Sequence, residues 1–262
     1  METADVVICG AGIAGVAAAY FLAVRHGLSD VVLVDERPPL TLTSDKSTEC
    51  YRNWWPSEVM VRFMNRSIDL LEALADESDN YFHLNRRGYV YLAGNRETAV
   101  SLQQSAAQIA TFGAGDLRIH NGRTSAYQPS SPHAYHHQPT GADLLLGSDL
   151  IRAHLPFVTP AATAALHVRR AGWLSAQQLG MYLWQQARER GVRLVNGRVT
   201  GVQVTDGQVS GVQVAAAGQT IQLATRRFVN AAGPFLRHVG QMVGVDLPVH
   251  NELHGKIALE DP

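Results

Sequence analysis

A glycine-rich turn after an apolar segment constrains the fold of this chain more than any other feature. The apolar segment Val6–Cys9 predicts a buried strand, and the turn that follows it, Gly10–Gly15, reads GAGIAG. Gly10 permits a tight turn, Gly12 lets the backbone approach a pyrophosphate, and Gly15 lets a helix pack closely against the strand. A turn of this kind is typical of a βαβ unit that binds a dinucleotide.

The segments that follow supply the context that a glycine motif needs. A helix is predicted from Ile13 to about Val24, and a second strand, Val31–Val34, ends in Asp35. The unpaired N–H groups and partial positive charge at the helix N-terminus favour phosphate. Asp35 is placed to accept hydrogen bonds from the ribose hydroxyls of adenosine. The sequence therefore predicts binding of an adenine dinucleotide rather than a simple glycine turn.

Charge and hydropathy argue against several other function classes. Among the 262 residues the formal net charge is −1 and the charged fraction is 17%, with no basic face, so we expect no nucleic-acid partner. The longest apolar run, Val16–Val24, is too short to span a bilayer. The N-terminus enters its first strand without a targeting segment, so we expect a cytoplasmic protein.

The candidate metal ligands and thiols do not form a convincing site. Cys9 and Cys50 have neither metal-ligand spacing nor a disulfide framework, and we expect Cys9 to be a small buried residue. The histidine-rich tract 132–137 can in principle bind metal, but no carboxylate or cysteine lies near it in sequence. We therefore predict a solvated loop there and no metal.

Further elements are predicted along the rest of the chain. A helix begins after Ser57, a β-hairpin turns at Arg87–Gly88, and another helix covers about Glu97–Phe112. A Gly-, Pro-, Ser- and His-rich loop covers 113–142, and a short strand and helix cover 144–155. A helix after Ser175 ends at Gly191 and is followed by short strands; these are Val192–Val195, Val199–Thr205, Val209–Ala215, Ile221–Leu223 and Phe228–Ala232. After a helix to about Val243, the last predicted strand is Val249–Leu259, with His254 and Lys256 on a solvated face.

This order of elements resembles the D-amino-acid oxidase-like family of FAD-dependent oxidoreductases, which includes glycine oxidase, sarcosine oxidase and dimethylglycine dehydrogenase. The resemblance covers nearly the whole chain. The segments that carry it, besides the glycine turn and Asp35, are Ser44–Thr48, Gly172–Ser175, Ala187–Val192 and Val229–Pro234.

The resemblance implies an α/β protein with a Rossmann-like FAD-binding fold, an inserted three-stranded β-meander and a partial α+β substrate domain. Residues 1–80 and 171–245 would form the FAD-binding domain. Residues 81–170 would form the first part of the substrate domain, and 246–262 the start of its returning strands. Family members continue well beyond the position of Pro262, so the resemblance implies a fragment or a subunit whose missing part comes from a partner chain.

The resemblance also implies a function, which is oxidation of a C–N bond of a secondary or tertiary amine or amino acid by hydride transfer to flavin N5. Because residues 38–53 contain no histidine, non-covalent FAD is expected. The electron acceptor stays open. The alternatives are a FAD-binding module without turnover of its own and an NAD-dependent dehydrogenase, since Asp35 fits the NAD ribose equally well.

The family pattern assigns roles to particular residues. Arg52 resembles an arginine that holds a substrate carboxylate, with a structural ion pair as the alternative. Residues 44–48 contact the pyrophosphate and ring edge, or else form a polar surface loop. The cofactor-binding residues expected in all are Gly10, Gly12, Ile13, Ala14, Gly15, Asp35, Glu36, Arg37, Ser44, Lys46, Ser47, Thr48, Val199, Ala231 and Gly233.

Overall fold

The computed structural model describes residues 2–122, 125–253 and 255. In chain order the strands are β1 Glu2–Thr3, β2 Val6–Cys9, β3 Val31–Asp35, β4 Cys50–Arg52, β5 Tyr89–Ala93, β6 Leu117–Asn121, β7 Ala142–Leu146, β8 Ala164–Val168, β9 Ala171–Trp173, β10 Arg193–Asn196, β11 Arg198–Thr205, β12 Gln208–Ala216, β13 Gln219–Ala224 and β14 Phe228–Asn230. The α-helices are α1 Ile13–Tyr20, α2 Glu58–Glu77, α3 Arg96–Ile109, α4 Ser148–His154, α5 Ala176–Glu189 and α6 Leu236–Gln241.

The chain divides into two compact units. The first, called the nucleotide unit below, comprises the described residues of Met1–Thr48 and Ala176–Pro262. The second, called the middle unit, is Glu49–Ser175. The domain boundaries near residues 80, 170 and 245 that the resemblance implies stay predictions.

A four-stranded parallel sheet is the centre of the nucleotide unit, with the strand order β10-β3-β2-β14. Strands β2 and β3 are almost completely buried, as their continuous runs of Val, Ile and Leu predict. Helix α1 packs against α5. The predicted Rossmann-like arrangement of strand, turn, helix and strand is confirmed.

The predicted β-meander is also present and gains a fourth strand. Strands β11, β12 and β13 pair antiparallel in sequence order, and β1 joins β13 in parallel. Asp206 and Gly207 both have positive φ angles, 52° and 75°, as expected for a two-residue hairpin turn. Apolar residues of this sheet and of the parallel sheet share one core, which contains Val7, Val32, Val212 and Leu223.

The middle unit contains a mixed sheet with the order β5-β8-β7-β6, together with a β4–β9 ribbon. Only β6 and β7 pair in parallel; the other neighbours are antiparallel. One core cluster packs the sheet residues Ala93, Leu144 and Leu166 with Trp54, Val61 and Ile109. The predicted α+β character of this region is confirmed.

Several local predictions need correction. The hairpin at Arg87–Gly88 is wrong, because residues 82–88 contain no strand and β5 pairs instead with β8. The segment 113–142 is not a loop throughout, because it contains the strand β6. This strand was not predicted because its sequence, LRIHN, has few apolar residues. The helix from Ile13 is present, but its last turn, Phe21–Arg25, is π-helical. Of the predicted strand Val249–Leu259, residues 249–253 and 255 form no strand and the others, His254 and Lys256 among them, lie outside the described residues.

Candidate functional site

A cavity of about 630 Å³ opens at the carboxyl ends of the four parallel strands of the nucleotide unit. Cys9 ends β2, Asp35 ends β3, Gly197 follows β10 and Ala231 follows β14, and all four residues line the cavity. The carboxyl edge is where parallel α/β sheets bind their ligands. The volume lies within the range of small-molecule and cofactor sites.

The glycine turn is shaped by close backbone contacts. Gly10 has φ +105°, and a Cβ built there would lie 2.3 Å from the carbonyl oxygen of Ala231. A Cβ on Gly15 would lie 1.8 Å from the carbonyl oxygen of Gly10. At Gly12 the nearest atom to a Cβ would be the Ser44 hydroxyl, at 3.2 Å. Glycine is therefore required by packing at Gly10 and Gly15, whereas Gly12 faces the space in front of helix α1.

Asp35 is fixed by backbone donors from two directions. Its Oδ2 accepts a hydrogen bond from the Ala11 N–H at 2.8 Å, and its Oδ1 accepts one from the Arg37 N–H at 2.9 Å. The N–H of Gly197 donates to the Asp35 carbonyl at 2.9 Å, so the start of β11 lies beside the same residue. A carboxylate held in this way keeps lone pairs for ribose hydroxyls, since each oxygen accepts more than one hydrogen bond.

Ser44 lies at the N-terminus of helix α1. Its Oγ accepts a hydrogen bond from the Ile13 N–H at 2.9 Å, and the N-cap residue Gly12 has no side chain to do so. Ser44 belongs to a short 3₁₀ turn, Thr43–Lys46, after the proline-containing loop that follows Asp35. The loop thus brings a hydroxyl to the free N–H groups of the helix.

Not all of the predicted cofactor-binding residues line the cavity. Those that do are Gly10, Gly12, Asp35, Glu36, Arg37, Ser44, Val199, Ala231 and Gly233. Within the described part of the chain, those outside its lining are Ile13, Ala14, Gly15, Lys46, Ser47 and Thr48. Lys46 forms an ion pair with its neighbour Asp45, and Gly15 packs under the turn.

Some lining residues were missed by the sequence reasoning. Helix α6 and the residues that flank it contribute Phe235, His238 and Met242, and the start of β11 contributes Arg198 and Thr200. The spacing of 235, 238 and 242 is helical, and this is the signal that predicts one helix face toward a ligand once the Gly–Pro turn is recognised.

The Cys9 thiol, which lines the cavity, is unreactive. Burial, with a smaller effect of the Asp35 carboxylate, raises the pKa of Cys9 to about 12. The thiol therefore stays protonated at neutral pH and acts as a small apolar wall rather than as a nucleophile.

Arg52, the predicted substrate-binding residue, belongs to the middle unit and is flanked by aromatic rings. Its Cζ lies 4.2 Å from the ring centroid of Trp55 and 5.0 Å from that of Tyr89. The Trp55 indole N–H donates to the Arg52 carbonyl at 3.1 Å. Burial raises the pKa of the Tyr91 phenol, and the Arg52 guanidinium opposes this rise.

Arg52 is not part of an ion pair within the described residues, and its Nε is buried without a hydrogen-bond partner there. The Arg52 guanidinium also makes a side-chain hydrogen bond to Tyr91. Because the N–H groups of a guanidinium lie in its plane, stacking on the rings leaves the rest of its edge open to a carboxylate.

A second polar cluster in the middle unit surrounds Asp143, which is 2% exposed. Arg118 binds both carboxylate oxygens, at 2.7 and 2.8 Å, and Arg169 also binds Oδ2. His120 bridges Asp143 at 2.8 Å and Ser125 at 3.0 Å. These contacts hold the carboxyl group ionised by lowering its pKa well below the usual range against the opposing effect of burial.

The Ser125–His120–Asp143 series resembles a catalytic triad only in composition. The Ser125 Oγ also accepts the N–H of Tyr127 at 3.1 Å, and Asp143 is neutralised by the guanidinium groups described above. Arg169 additionally donates to the Gln128 carbonyl at 2.6 Å. The cluster therefore fastens the segment after β6 to the sheet.

No cluster of three or more His, Cys, Asp or Glu side chains suited to a metal ion occurs in residues 2–122, 125–253 and 255. In the histidine-rich tract, His136 instead pairs with Asp76 at 2.8 Å. Across the same residues, none of the helices combines the length and apolar character needed to cross a membrane.

Comparison with solved structures shows the fold. The chain is similar to L-proline dehydrogenase from P. horikoshii (TM-score 0.73, 19% identity, covering 93% of this chain and 56% of that one). It is similar to glycine oxidase from Geobacillus kaustophilus (0.74, 21%, 95% and 60%) and to L-amino acid deaminase from Proteus vulgaris (0.73, 19%, 95% and 51%). The chain thus spans little more than half the length of these proteins. No curated protein matches the sequence.

The family model described as DAO, FAD dependent oxidoreductase, matches residues 5–259, which is nearly the whole sequence. The cofactor of this family is FAD, and the cavity at the edge of the parallel sheet lies in the part of the fold where an adenine dinucleotide is bound. The chain belongs to the DAO family of FAD-dependent oxidoreductases.

Proposed function

We propose that this chain binds FAD non-covalently in the cavity of the nucleotide unit and takes part in oxidising a C–N bond of a secondary or tertiary amine or amino acid. The observation that carries the proposal is the cavity itself. It combines the glycine turn, the fixed Asp35 and the N-terminus of α1 at one edge of the sheet. Family membership identifies the dinucleotide as FAD rather than NAD.

The residues of the cavity fit FAD on their own geometry. A Cβ at Gly10 would overlap the Ala231 carbonyl, so the turn holds its backbone in the tight form that admits a pyrophosphate. Gly12 keeps the approach to the helix N-terminus open, and Ser44 adds a hydroxyl there. In this assignment Asp35 binds the adenosine ribose, and Val199 and Ala231 provide backbone contacts.

When bound, FAD supplies the hydride acceptor for C–N oxidation, while the protein supplies binding, orientation and electrostatics. We propose that Arg52 binds the carboxylate of an amino-acid substrate through the edge of its guanidinium. The rings of Trp55 and Tyr89 restrict the rotation of that side chain, so less conformational entropy is lost when the carboxylate binds.

Reconstitution with FAD tests the cofactor and the reaction separately. The purified protein mixed with FAD and desalted is expected to keep a flavin absorption band, and acid precipitation is expected to release that flavin because it is not covalently bound. Anaerobic addition of secondary and tertiary amino acids is then expected to bleach the band. A protein that retains no flavin would refute the FAD assignment, and NAD is the control ligand.

Substitution of Arg52 tests the substrate assignment. With an amino-acid substrate, R52Q is expected to lower kcat/KM by roughly 10- to 100-fold, because a hydrogen-bonded charge pair contributes about 1.5–3 kcal/mol. With the amine that lacks the carboxylate, R52Q and wild type are expected to react alike. Equal loss on both substrates would show that Arg52 only supports the structure.

A second candidate function is a FAD-binding module that has no turnover alone. The chain spans 51–60% of the length of the three solved proteins named above. A partner chain that supplies further substrate-domain strands belongs to this candidate. Flavin retention without bleaching by any amine would favour it, and bleaching by the isolated chain would exclude it.

A further inference from the structure

Two tyrosines of strand β5 lie beside the Arg52 guanidinium in the middle unit. Tyr89 and Tyr91 are two residues apart, so their side chains leave the strand on the same face, and their ring centroids are 4.9 Å apart. Both rings are half-buried and pack against the core cluster that contains Leu166. The core therefore holds two phenol rings in place next to a cation.

The two tyrosines contact Arg52 in different ways. Tyr89 presents its ring, whose centroid lies 5.0 Å from the Arg52 Cζ. Tyr91 accepts a hydrogen bond at its hydroxyl, because a guanidinium has donors only. Burial raises the pKa of the Tyr91 phenol, so at neutral pH the hydroxyl keeps its proton. A protonated phenol that accepts one hydrogen bond can still donate another, so the pair offers donors to an anion.

The ring contacts and the hydrogen bond restrict different motions of the guanidinium. The backbone of Arg52 is fixed by pairing with Ala171, and the ring centroid of Trp55 lies 4.2 Å from the Arg52 Cζ. Rings over a planar group oppose movement out of its plane but allow it to turn within that plane. The N–H groups of a guanidinium lie in the plane, so a hydrogen bond to Tyr91 opposes the remaining in-plane rotation.

We infer that Tyr91 is a positioning residue that holds the Arg52 guanidinium in the orientation required to bind a substrate carboxylate. The inference rests on the proposed role of Arg52 and extends it to substrate preference. A fixed planar fork of donors matches the two oxygens of a carboxylate, whereas an uncharged amide at the same place supplies one acceptor oxygen. The Arg52–Tyr91 pair therefore favours amines that carry a carboxylate.

NMR of the Arg52 side chain tests the inference without flavin or turnover. The Nε–H signal of Arg52 is assigned by its loss in R52Q and followed during titration with propionate or with propionamide. In wild type we expect propionate to shift the signal and propionamide to leave it unchanged. Y91F is expected to need roughly three- to tenfold more propionate for the same shift, the size of one net hydrogen bond.

The matched control is Y81F, which removes a phenol hydroxyl from an exposed tyrosine of the middle unit. Y81F is expected to respond to propionate as wild type does. Thermal unfolding of Y91F and Y81F shows whether each variant is folded.

Steady-state kinetics of the FAD-loaded protein give a second readout. With an amino-acid substrate, Y91F is expected to raise KM by roughly three- to tenfold with little change in kcat, because the carboxylate is bound alike before and during the reaction. With the amine that lacks the carboxylate, Y91F and wild type are expected to react alike. In the R52Q background, Y91F is expected to cause no further loss, because Tyr91 acts through Arg52.

Three results would overturn the inference. They are an Arg52 signal that propionate does not shift in wild type, an equal propionate response in wild type and folded Y91F, and a further loss from Y91F in the R52Q background. The second of these would leave the carboxylate role of Arg52 intact. An Arg52 signal that responds as expected, in a protein whose flavin no amino acid reduces, would uphold the inference while the proposed reaction fails.

Discussion

At the scale of single residues, the absence of a side chain shapes the cofactor cavity as much as any polar group does. Gly15 and Gly10 are in such close contact that one methyl group would overlap a carbonyl oxygen. The overlap involves backbone on both sides, so no rotamer change relieves it. The glycine turn is therefore sensitive to substitutions that an ordinary helix would tolerate.

We expect Gly15→Ala to destabilise the protein by about 1–3 kcal/mol, the range for overpacking in a close-packed region. FAD retention is expected to fall with it, because α1 must shift away from the turn. The free energy of unfolding in urea and the retained flavin absorbance measure the two effects. Gly94→Ala is the control, since nothing lies within 4 Å of a Cβ at that position. Equal stability of the two variants would contradict the packing argument.

Some of the residues that line the cavity could be predicted from the sequence alone, and others could not. Gly10, Gly12 and Asp35 were predictable because each satisfies a local requirement of backbone or ribose geometry. Arg198 was not, because it reaches the cavity through the pairing of β10 with β3. Such long-range pairing determines which side chains share a ligand, and no local pattern encodes it.

At the scale of elements, the periodicity of apolar residues predicted whether a segment is a helix or a strand better than it predicted which strands pair. The predicted helix after Ser57 is present as α2, which buries Val61, Ile68, Leu74 and Ala75 on one side. Ser57 is its N-cap residue, yet its side chain makes no capping hydrogen bond. The hairpin at Arg87–Gly88 was wrong because the partner of β5 is β8, far along the chain.

Strand β8 also has a buried histidine that links two elements. The Nε2 of His167 donates to the Arg87 carbonyl at 2.9 Å, so in the neutral ring Nδ1 accepts the hydroxyl of Tyr127, also at 2.9 Å. Burial, followed by the charge of Arg169, lowers the pKa of His167 from its ordinary value of 6.5 to about 4. The hydrogen bond that Nδ1 accepts depends on the neutral ring, whereas Nε2 donates to the Arg87 carbonyl in either protonation state.

Acidification is therefore expected to destabilise the middle unit through His167. Between pH 6.5 and about 4 the unfolded chain binds a proton that the folded chain does not, so the free energy of unfolding decreases as pH falls. The slope attributable to one proton is about 1.4 kcal/mol per pH unit. Urea unfolding across this range is expected to show a smaller slope in H167Q than in wild type.

The control for that experiment is H133Q, because His133 is exposed in the polar loop. H133Q is expected to keep the wild-type slope. Identical slopes in wild type and H167Q would mean that His167 is not the group whose protonation is linked to unfolding.

At the scale of the whole molecule, the cofactor cavity is confined to one of the two compact units. All of its lining residues belong to the nucleotide unit. Ligand binding to a folded site stabilises it by mass action, by about 2.7 kcal/mol at a free concentration of a hundred times Kd.

We therefore expect saturating FAD to slow hydrogen exchange in peptides that contain the cavity-lining residues, which are peptides from 9–15, 34–44, 197–200 and 231–242. Peptides containing β7, in the middle unit, are the internal reference for this measurement. Protection of β7 without protection of 9–15 would contradict the assignment of the cavity as the cofactor site.

The class of fold was predictable from the sequence because strand, turn, helix, strand and meander occur in recognisable order.

The pairing of β2 with β14 has a consequence for synthesis of the protein. Val7 lies opposite Phe228, and Ile8 opposite Val229, so one of the earliest strands made is completed by one made much later. Contacts of such wide sequence separation form slowly because a long loop must close first. On the ribosome, the glycine turn therefore emerges long before the wall against which it packs. During that interval the apolar strands 6–9 and 31–34 lack their later partners β14 and β10, and exposed apolar strands of this kind are prone to aggregation.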